Sequence, residues 1–302
     1  MNTTSAKAAR ICEVIRGADL DFVDGHPSEP GDGVRVADYI APGPKAAHLT
    51  VSVVEFAPGA SVQGHLHPFE ESFYVLAGEV LLNHGGTSFA LVAGDFGLIP
   101  IATGHAWANV SDTKATLLRV FCPQPRPIGG AGGWGVYGAP DVDVPDGGES
   151  VDELDPRHAN LGHFDDSDMP PPSPILMPGY HGPNIRNVSI RMMVDELLGA
   201  RHHTLFVVQF TPTGSAGLSA KEHYHPFEEI YYFVSGEAVG SFDGDRHPVG
   251  PGDLIFAPVG ASHGFSPTTA EPVRWIEAQA PLPPAQNGFV FHEDWARLEQ
   301  LA

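Results

Sequence analysis

The chain has 302 residues, enough for two domains of about 100–150 residues each. Its 35 glycines and 29 prolines fit many tight turns and point toward β structure, without reaching low complexity. With 16 basic against 37 acidic residues the net charge is −21, which argues against nucleic acid or an anionic membrane surface as partner and leaves a small molecule.

Residues 5–17 place Ala8, Ile11, Cys12 and Ile15 at helical spacing, with Gly17 as a stop. A short amphipathic helix is therefore expected within an N-terminal lead, residues 1–36. Cys12 and Cys122 form no CxxC motif and no disulfide framework. No secretory signal opens the sequence and no run approaches a membrane span, so a cytoplasmic location is expected.

From about Val36 short apolar runs alternate with Gly, Pro, Asn and Asp clusters, the pattern of an all-β sandwich or barrel over residues 37–138. Residues 139–183 are acidic, Pro-rich and without period, and read as a linker that wraps the surface or covers a site. Its His158, His163 and His181 are expected to face solvent. Strand runs resume over 184–288, and residues 289–302 close on a helical turn with Trp295, Leu298 and Leu301 facing inward.

The stretch Gly59–Gly78 returns as Gly217–Gly236, with half of the 20 positions identical and no gap. Gly59, His65, His67, Glu71, Gly78, Gly94, Pro100, His105 and Pro123 each find the same residue type 158 positions later. A constant offset over so long a stretch means two copies of one fold. His65 and His67 share a strand face, as do His223 and His225. Glu71 and Glu229 have the same parity, and His105 and His263 are expected to arrive from another strand. Three imidazoles and one carboxylate, without thiolates, suit a borderline divalent ion: manganese, iron, nickel or copper, with zinc included. Two such ions per chain are expected. Four protein ligands leave open positions for water, dioxygen or a chelating substrate.

Phe73, Trp107, Tyr231 and Phe265 each lie two residues from a ligand, so parity puts them on the cavity side as an aromatic wall. Glu70 and Glu228 precede the ligand glutamates and are expected to point away. Arg119, Arg191 and Arg274 lie in strand-like runs, where an exposed or salt-bridged face is expected. Asn109 is a candidate support for the first cluster, with no counterpart in the second half.

These residues spell a known pattern. Gly59, His65, His67, Glu71 and Gly78 match the first cupin motif, G(X)5HXH(X)3-4E(X)6G. Gly94, Pro100, His105 and Asn109 match the second, G(X)5PXG(X)2H(X)3N, with Ala102 where glycine is expected. Gly217, His223, His225, Glu229 and Gly236, then Gly252, Pro258, Gly260 and His263, repeat both motifs, with Pro267 in place of the final Asn. The chain thus resembles a bicupin over about residues 37–125 and 185–285. That resemblance implies two jelly-roll (double-stranded β-helix) barrels with a metal in each, and a homodimer or larger homo-oligomer is expected from exposed sheet edges. Cupins host many reactions. A likeness to bacterial quercetin 2,3-dioxygenase implies a dioxygenase acting on a small enol, phenol or carboxylate, with Glu71 and Glu229 as ligand and catalytic base at once. A likeness to oxalate decarboxylase or ureidoglycine aminohydrolase implies instead a manganese-dependent lyase or hydrolase. A non-enzymatic small-molecule-binding cupin is the third reading.

Overall fold

A computed structural model of the protein describes residues 11–126, 134–138, 142–151, 159–172, 176–177, 180–181, 184–212, 220–242, 244–283, 288 and 290–291. The N-terminal half is organised on one long strand, Thr50–Leu66. Its first part, TVSVVEF, is β-branched and buried on nearly every residue, as expected of a strand covered on both faces. It pairs antiparallel with Asp32–Ile40 and with Ala115–Cys122, and further along with His105–Ala108. Glu70–Ala77 lies on the other side of Ala115–Cys122, followed by Asp95–Ile99. The curled sheet this builds has twelve strands.

The C-terminal half repeats the plan, with the same offset from the glycine-histidine motif onward and a shorter one before it, where Thr204 and Phe210 answer to Thr50 and Phe56. Glu228–Ser235 pairs with Val273–Ala280, which pairs with Thr204–Phe210, as their counterparts do in the first half. A three-stranded sheet of Ala238–Phe242, Asp245–Val249 and Gly264–Pro267 forms the second wall. Both halves are all-β jelly rolls. Gly78 and Gly236 show why the repeat keeps its glycines: their φ values are 78° and 75°. A Cβ there would sit 2.4 Å from the Lys114 carbonyl oxygen or 2.5 Å from that of Pro272.

Three expectations change. The helix over residues 5–17 is not formed in its described part: Glu13–Ile15 is a strand paired with Leu254–Ala257 of the C-terminal half. Its apolar residues serve a sheet edge, and Cys12 is buried in the C-terminal core. The N-terminal barrel begins at Asp32, inside the stretch read as lead. The linker is partly structured. Glu149–Ser150 adds in parallel to Thr87–Val92, and Leu161–His163 adds antiparallel to Asp95–Ile99, extending the first barrel's sheet at both edges. His163 is partly exposed and bonds Asp95 at 2.7 Å, His181 falls in the short strand Tyr180–His181, and His158 lies outside the described residues. Of the stretch 289–302 expected as a helical turn, Val290–Phe291 is instead a strand paired with His223–Tyr224, and residue 289 and residues 292–302 lie outside the described residues.

The largest apolar cluster joins the two halves. It packs Ile40, Val51, Leu118 and Val120 of the first against Leu205, Ile230, Phe256 and Ile276 of the second. Two glutamates cross this seam in opposite directions. Glu70 accepts the backbone N–H groups of Arg201 (2.7 Å) and His202 (3.0 Å). Glu228 accepts those of Ala47, of His48 (2.9 Å) and of Leu49 (3.2 Å). Both therefore point away from the histidine clusters, as parity requires.

Removing either crossing carboxylate strands buried N–H groups, so Glu70→Ala and Glu228→Ala should each cost about 1.5–3 kcal/mol in urea unfolding. Burial pushes the Glu70 carboxyl up, but hydrogen bonding and charge from His203, with the two backbone donors, outweigh it and hold the group below its ordinary value. Its contribution is then complete above the unfolded-state value and is lost as pH falls through the lowered one. The stability gap between wild type and Glu70→Gln should narrow on going from about pH 7 to about pH 3. Ala102 adopts φ 64° where its counterpart Gly260 has φ 76°, so Ala102→Gly should raise stability by about 0.5–1 kcal/mol.

Candidate metal centres

The two HxH pairs sit where strand alternation puts both imidazoles on the barrel's inner face. His65 and His67 come from the end of Thr50–Leu66 and the residue after it, and His105 opens the strand paired directly opposite His65. In the second half His223 forms a bridge with His263. Within each trio, His65–His67–His105 and His223–His225–His263, one ring nitrogen per residue lies within 4.8 Å of the others, and all six residues are buried.

The glutamates join them. Glu71 Oε2 is 3.1 Å from His67 Nδ1 and 3.7 Å from His105 Nε2. Glu229 Oε2 is 2.7 Å from His225 Nε2 and 3.4 Å from His263 Nε2. The eight ligand candidates thus converge as two sets of four.

The backbone selects which nitrogen faces inward. His65, His105, His223 and His263 each donate Nδ1–H to the carbonyl two residues earlier, on Gln63, Thr103, Lys221 and Ala261, at 2.8–3.1 Å. His225 donates Nδ1–H to the Phe227 carbonyl at 2.7 Å. A carbonyl can only accept, so these rings hold their proton on Nδ1 and turn a bare Nε2 to the cluster. Burial pulls His65 down to about 4 and holds His105 and His223 well below the usual imidazole range. The neutral ring is the form that binds a metal. In the first cluster Nε2 of His65 and of His105, both ring nitrogens of His67 and Oε2 of Glu71 are buried with no hydrogen-bond partner. Buried polar atoms left this way are costly, and a divalent cation would take one atom from each of the four residues. The donor set fits such an ion in both halves.

Beyond the ligands the halves diverge. Arg119 is fully buried and donates Nε–H (2.7 Å) and Nη2–H to Glu71 Oε1 and Nη1–H to Glu29. The strand arginine is salt-bridged, as one of the two expectations had it, but fully buried: it occupies the space beside a ligand carboxylate. Burial raises Glu71, and the Arg119 charge with the neighbouring imidazoles outweighs it, leaving that carboxyl strongly depressed. Tyr137 stacks on His65 with ring centroids 5.0 Å apart and reaches the Pro27 carbonyl at 3.3 Å. Phe73 and Trp107 pack edge-on in the first barrel's core, centroids 5.2 Å apart.

In the second half a cavity with an empty volume of about 420 Å³, open mouth included, reaches the cluster. Its lining includes His223, Glu229, Tyr231, Phe265, Trp275 and Glu277, with aliphatic walls from Ile185, Val188 and Val208. Tyr231 donates its phenol proton to Glu229 Oε2 and lies 2.7 Å from His263 Nε2. Gln279 Nε2 donates to Glu229 Oε1 at 2.6 Å. Two of the four expected wall residues, Tyr231 and Phe265, thus line a cavity, while Phe73 and Trp107 are core.

Sequence reasoning passed over Glu29, Trp275, Glu277 and Gln279. Glu29 carries no local signal in its Pro-rich segment. Glu277 and Gln279 were visible as polar residues at alternate positions of an apolar strand run, Val273–Ala280. Asn109 braces the Asn109–Thr113 turn, donating to the Phe56 and Thr113 carbonyls at 2.9 and 2.8 Å and accepting from Ser111. It supports a turn rather than the cluster.

Comparison with known proteins agrees with this architecture. The cupin domain model matches residues 52–121 and 208–278. Among curated relatives, the polyketide synthase CurC of Streptomyces cyaneus is 26% identical over 114 residues, 37% of this chain and 73% of that protein. The dimethylsulfoniopropionate lyase DddQ of Ruegeria pomeroyi is 47% identical over 51 residues, 16% of this chain and 24% of that protein. Oxalate decarboxylase of Bacillus subtilis superposes with TM-score 0.60 at 16% identity, over 93% of this chain and 80% of that one. A glyoxylate-induced protein from Pseudomonas aeruginosa superposes with TM-score 0.62 at 18% identity, over 93% and 92%. At such identities the structural likeness is one of fold. Among the described residues no helix is long and apolar enough to cross a membrane. Two matched domains, two jelly rolls and two equivalent histidine clusters make the chain a bicupin of the cupin superfamily.

Proposed function

We propose that the chain is a metal-dependent enzyme whose reaction takes place in the C-terminal barrel, and that the reaction is a lyase step on a small oxygen-chelating substrate. The observation that carries this is the cavity reaching His223, Glu229 and Tyr231. Its aliphatic and aromatic walls with a few convergent polar groups are those of a small-molecule site. A divalent ion held by His223, His225, Glu229 and His263 supplies a Lewis acid and open positions for a chelating carboxylate or carbonyl. Tyr231 supplies the proton path. Tyr231 lines the cavity while its phenol proton rests against Glu229 Oε2. A substrate proton taken at the Tyr231 oxygen is balanced by passage of the phenol proton toward Glu229. The curated relative named as a lyase supports this class.

The N-terminal centre, with His65, His67, Glu71 and His105, is assigned a structural metal. Arg119 already engages Glu71 through two donors, which disfavours that carboxylate as a base. The dioxygenase is the second reading, favoured by the three aromatic rings at the cavity, which suit an enol or phenol substrate.

Metal analysis on protein purified without chelator should give two equivalents per chain, one for each cluster. Glu71→Gln and Glu229→Gln should each lose metal from their own barrel, and only Glu229→Gln should abolish turnover. Loss of turnover from both would remove the division between barrels. Tyr231→Phe should keep its metal and lower kcat by at least about 100-fold. Turnover that persists without oxygen, with release of a cleavage product from a carboxylate substrate, is the outcome expected of a lyase. Stoichiometric O₂ uptake would replace it with the dioxygenase.

A further inference from the structure

The strongest asymmetry between the two barrels is a swap of charge at one position. Arg119 and Glu277 are separated by the repeat offset of 158 and occupy equivalent places, one strand over from Phe73 and Tyr231 respectively. In the first barrel the buried cation is neutralised from within, by Glu29 and Glu71. In the second, among the described residues, no cation bonds to Glu277. Among the described residues its hydrogen bonds come from neutral donors, Trp275 Nε1 at 2.9 Å and Gln279 Nε2 at 3.0 Å. Each uses one lone pair on a different carboxyl oxygen, so acceptor capacity is left over, and Glu277 lines the cavity.

The surroundings favour positive charge too. Tyr231, Phe265 and Trp275 form a triad with centroid separations of 4.6, 6.0 and 6.4 Å, and all three line the cavity. Aromatic faces carry negative potential and attract cations, most strongly where water is excluded. A buried carboxyl beside them, whose hydrogen-bond donors are neutral, is placed to pair with a cation brought in from outside.

We propose that the C-terminal cavity takes a small molecule carrying a protonated amine as well as its metal-binding oxygen, and that Glu277 reads the amine. This rests on the reading that substrate and metal share the C-terminal barrel, and it adds the chemical class of that substrate. The spare acceptor sites of Glu277 call for N–H donors, which a primary ammonium has and a quaternary ammonium lacks. Glu277 is then a specificity-determining residue. The first barrel, with Arg119 at the same place, has no equivalent preference.

The test is equilibrium binding to the metal-loaded full chain by calorimetry. The probes are the pairs propionate and 3-aminopropionate, and butyrate and 4-aminobutyrate, with 4-(trimethylammonio)butyrate as the cation lacking N–H. In at least one pair the amine should bind at least about tenfold tighter, and the trimethylammonio compound should lose that advantage. Glu277→Gln, checked for unchanged metal content, should bring the pair to within about threefold. Equal affinity within both pairs in the wild type overturns the proposal, and this comparison needs no variant to fold. So does an amine preference that survives Glu277→Gln, or a trimethylammonio compound that binds as tightly as the amine. Binding and turnover fail separately. Amine preference without turnover of any substrate would sink the proposed reaction and leave the role of Glu277. Turnover of carboxylates with no amine preference would sink that role alone.

Discussion

The structure depends on satisfying a handful of inward-facing lone pairs. Each barrel turns three imidazole nitrogens and a carboxylate oxygen into one buried space. In the folded chain the Nδ1–H groups are already spent on backbone carbonyls, so the rings cannot rotate to relieve the cluster without breaking those bonds. The barrel walls hold the strands that supply the carbonyls, and a divalent ion would answer the nitrogens. Fold and site are one constraint seen from two sides, which is why both halves retain the same ligand spacing although their surroundings differ.

A second constraint joins the halves. The residue before each ligand glutamate crosses the seam and takes backbone donors from the other barrel. Adjacent residues on a strand face opposite ways, so Glu70 can bind the partner barrel only if Glu71 faces inward, and the same holds for Glu228 and Glu229. A slip of one residue in either strand would bury the wrong carboxylate at the cluster and pull the other from the seam. The inter-barrel contact thus fixes the register on which ligand convergence depends. The strand Glu13–Ile15 adds to this by carrying the N-terminal segment onto the C-terminal barrel.

Much of this was legible in the residues. Period-2 alternation, glycines at turns and the 158-residue offset identify two β barrels and place the HxH pairs on their inner faces. The parity that set Glu71 apart from Glu70 is a local property and survives folding unchanged. What escaped was non-local. Glu29 meets Arg119 only because the segment before the first barrel folds over it, 90 residues away in sequence. Residues 11–17 have helical spacing, yet a free sheet edge of the C-terminal barrel takes the backbone donors and acceptors and makes a strand of Glu13–Ile15. Phe73 and Tyr231 have the same parity and the same offset, but one is core and the other lines a cavity, because the neighbours around them have changed.

That last contrast bears on how a duplicated site divides its work. The ligands are held by geometry common to both copies, so they are the part least free to change. The shell beside them is free to vary, and it is there that the copies part: Arg119 against Glu277, Leu117 against Trp275. In the first copy the added charges cancel one another internally and surround Glu71 with protein. In the second a carboxyl is left facing a cavity with aromatic rings and no internal counter-charge. An internally neutralised shell has no acceptor left for a ligand, whereas the second shell keeps a carboxyl and aromatic rings on a cavity. The proposed division of work, with substrate in the C-terminal barrel, rests on that direction of divergence.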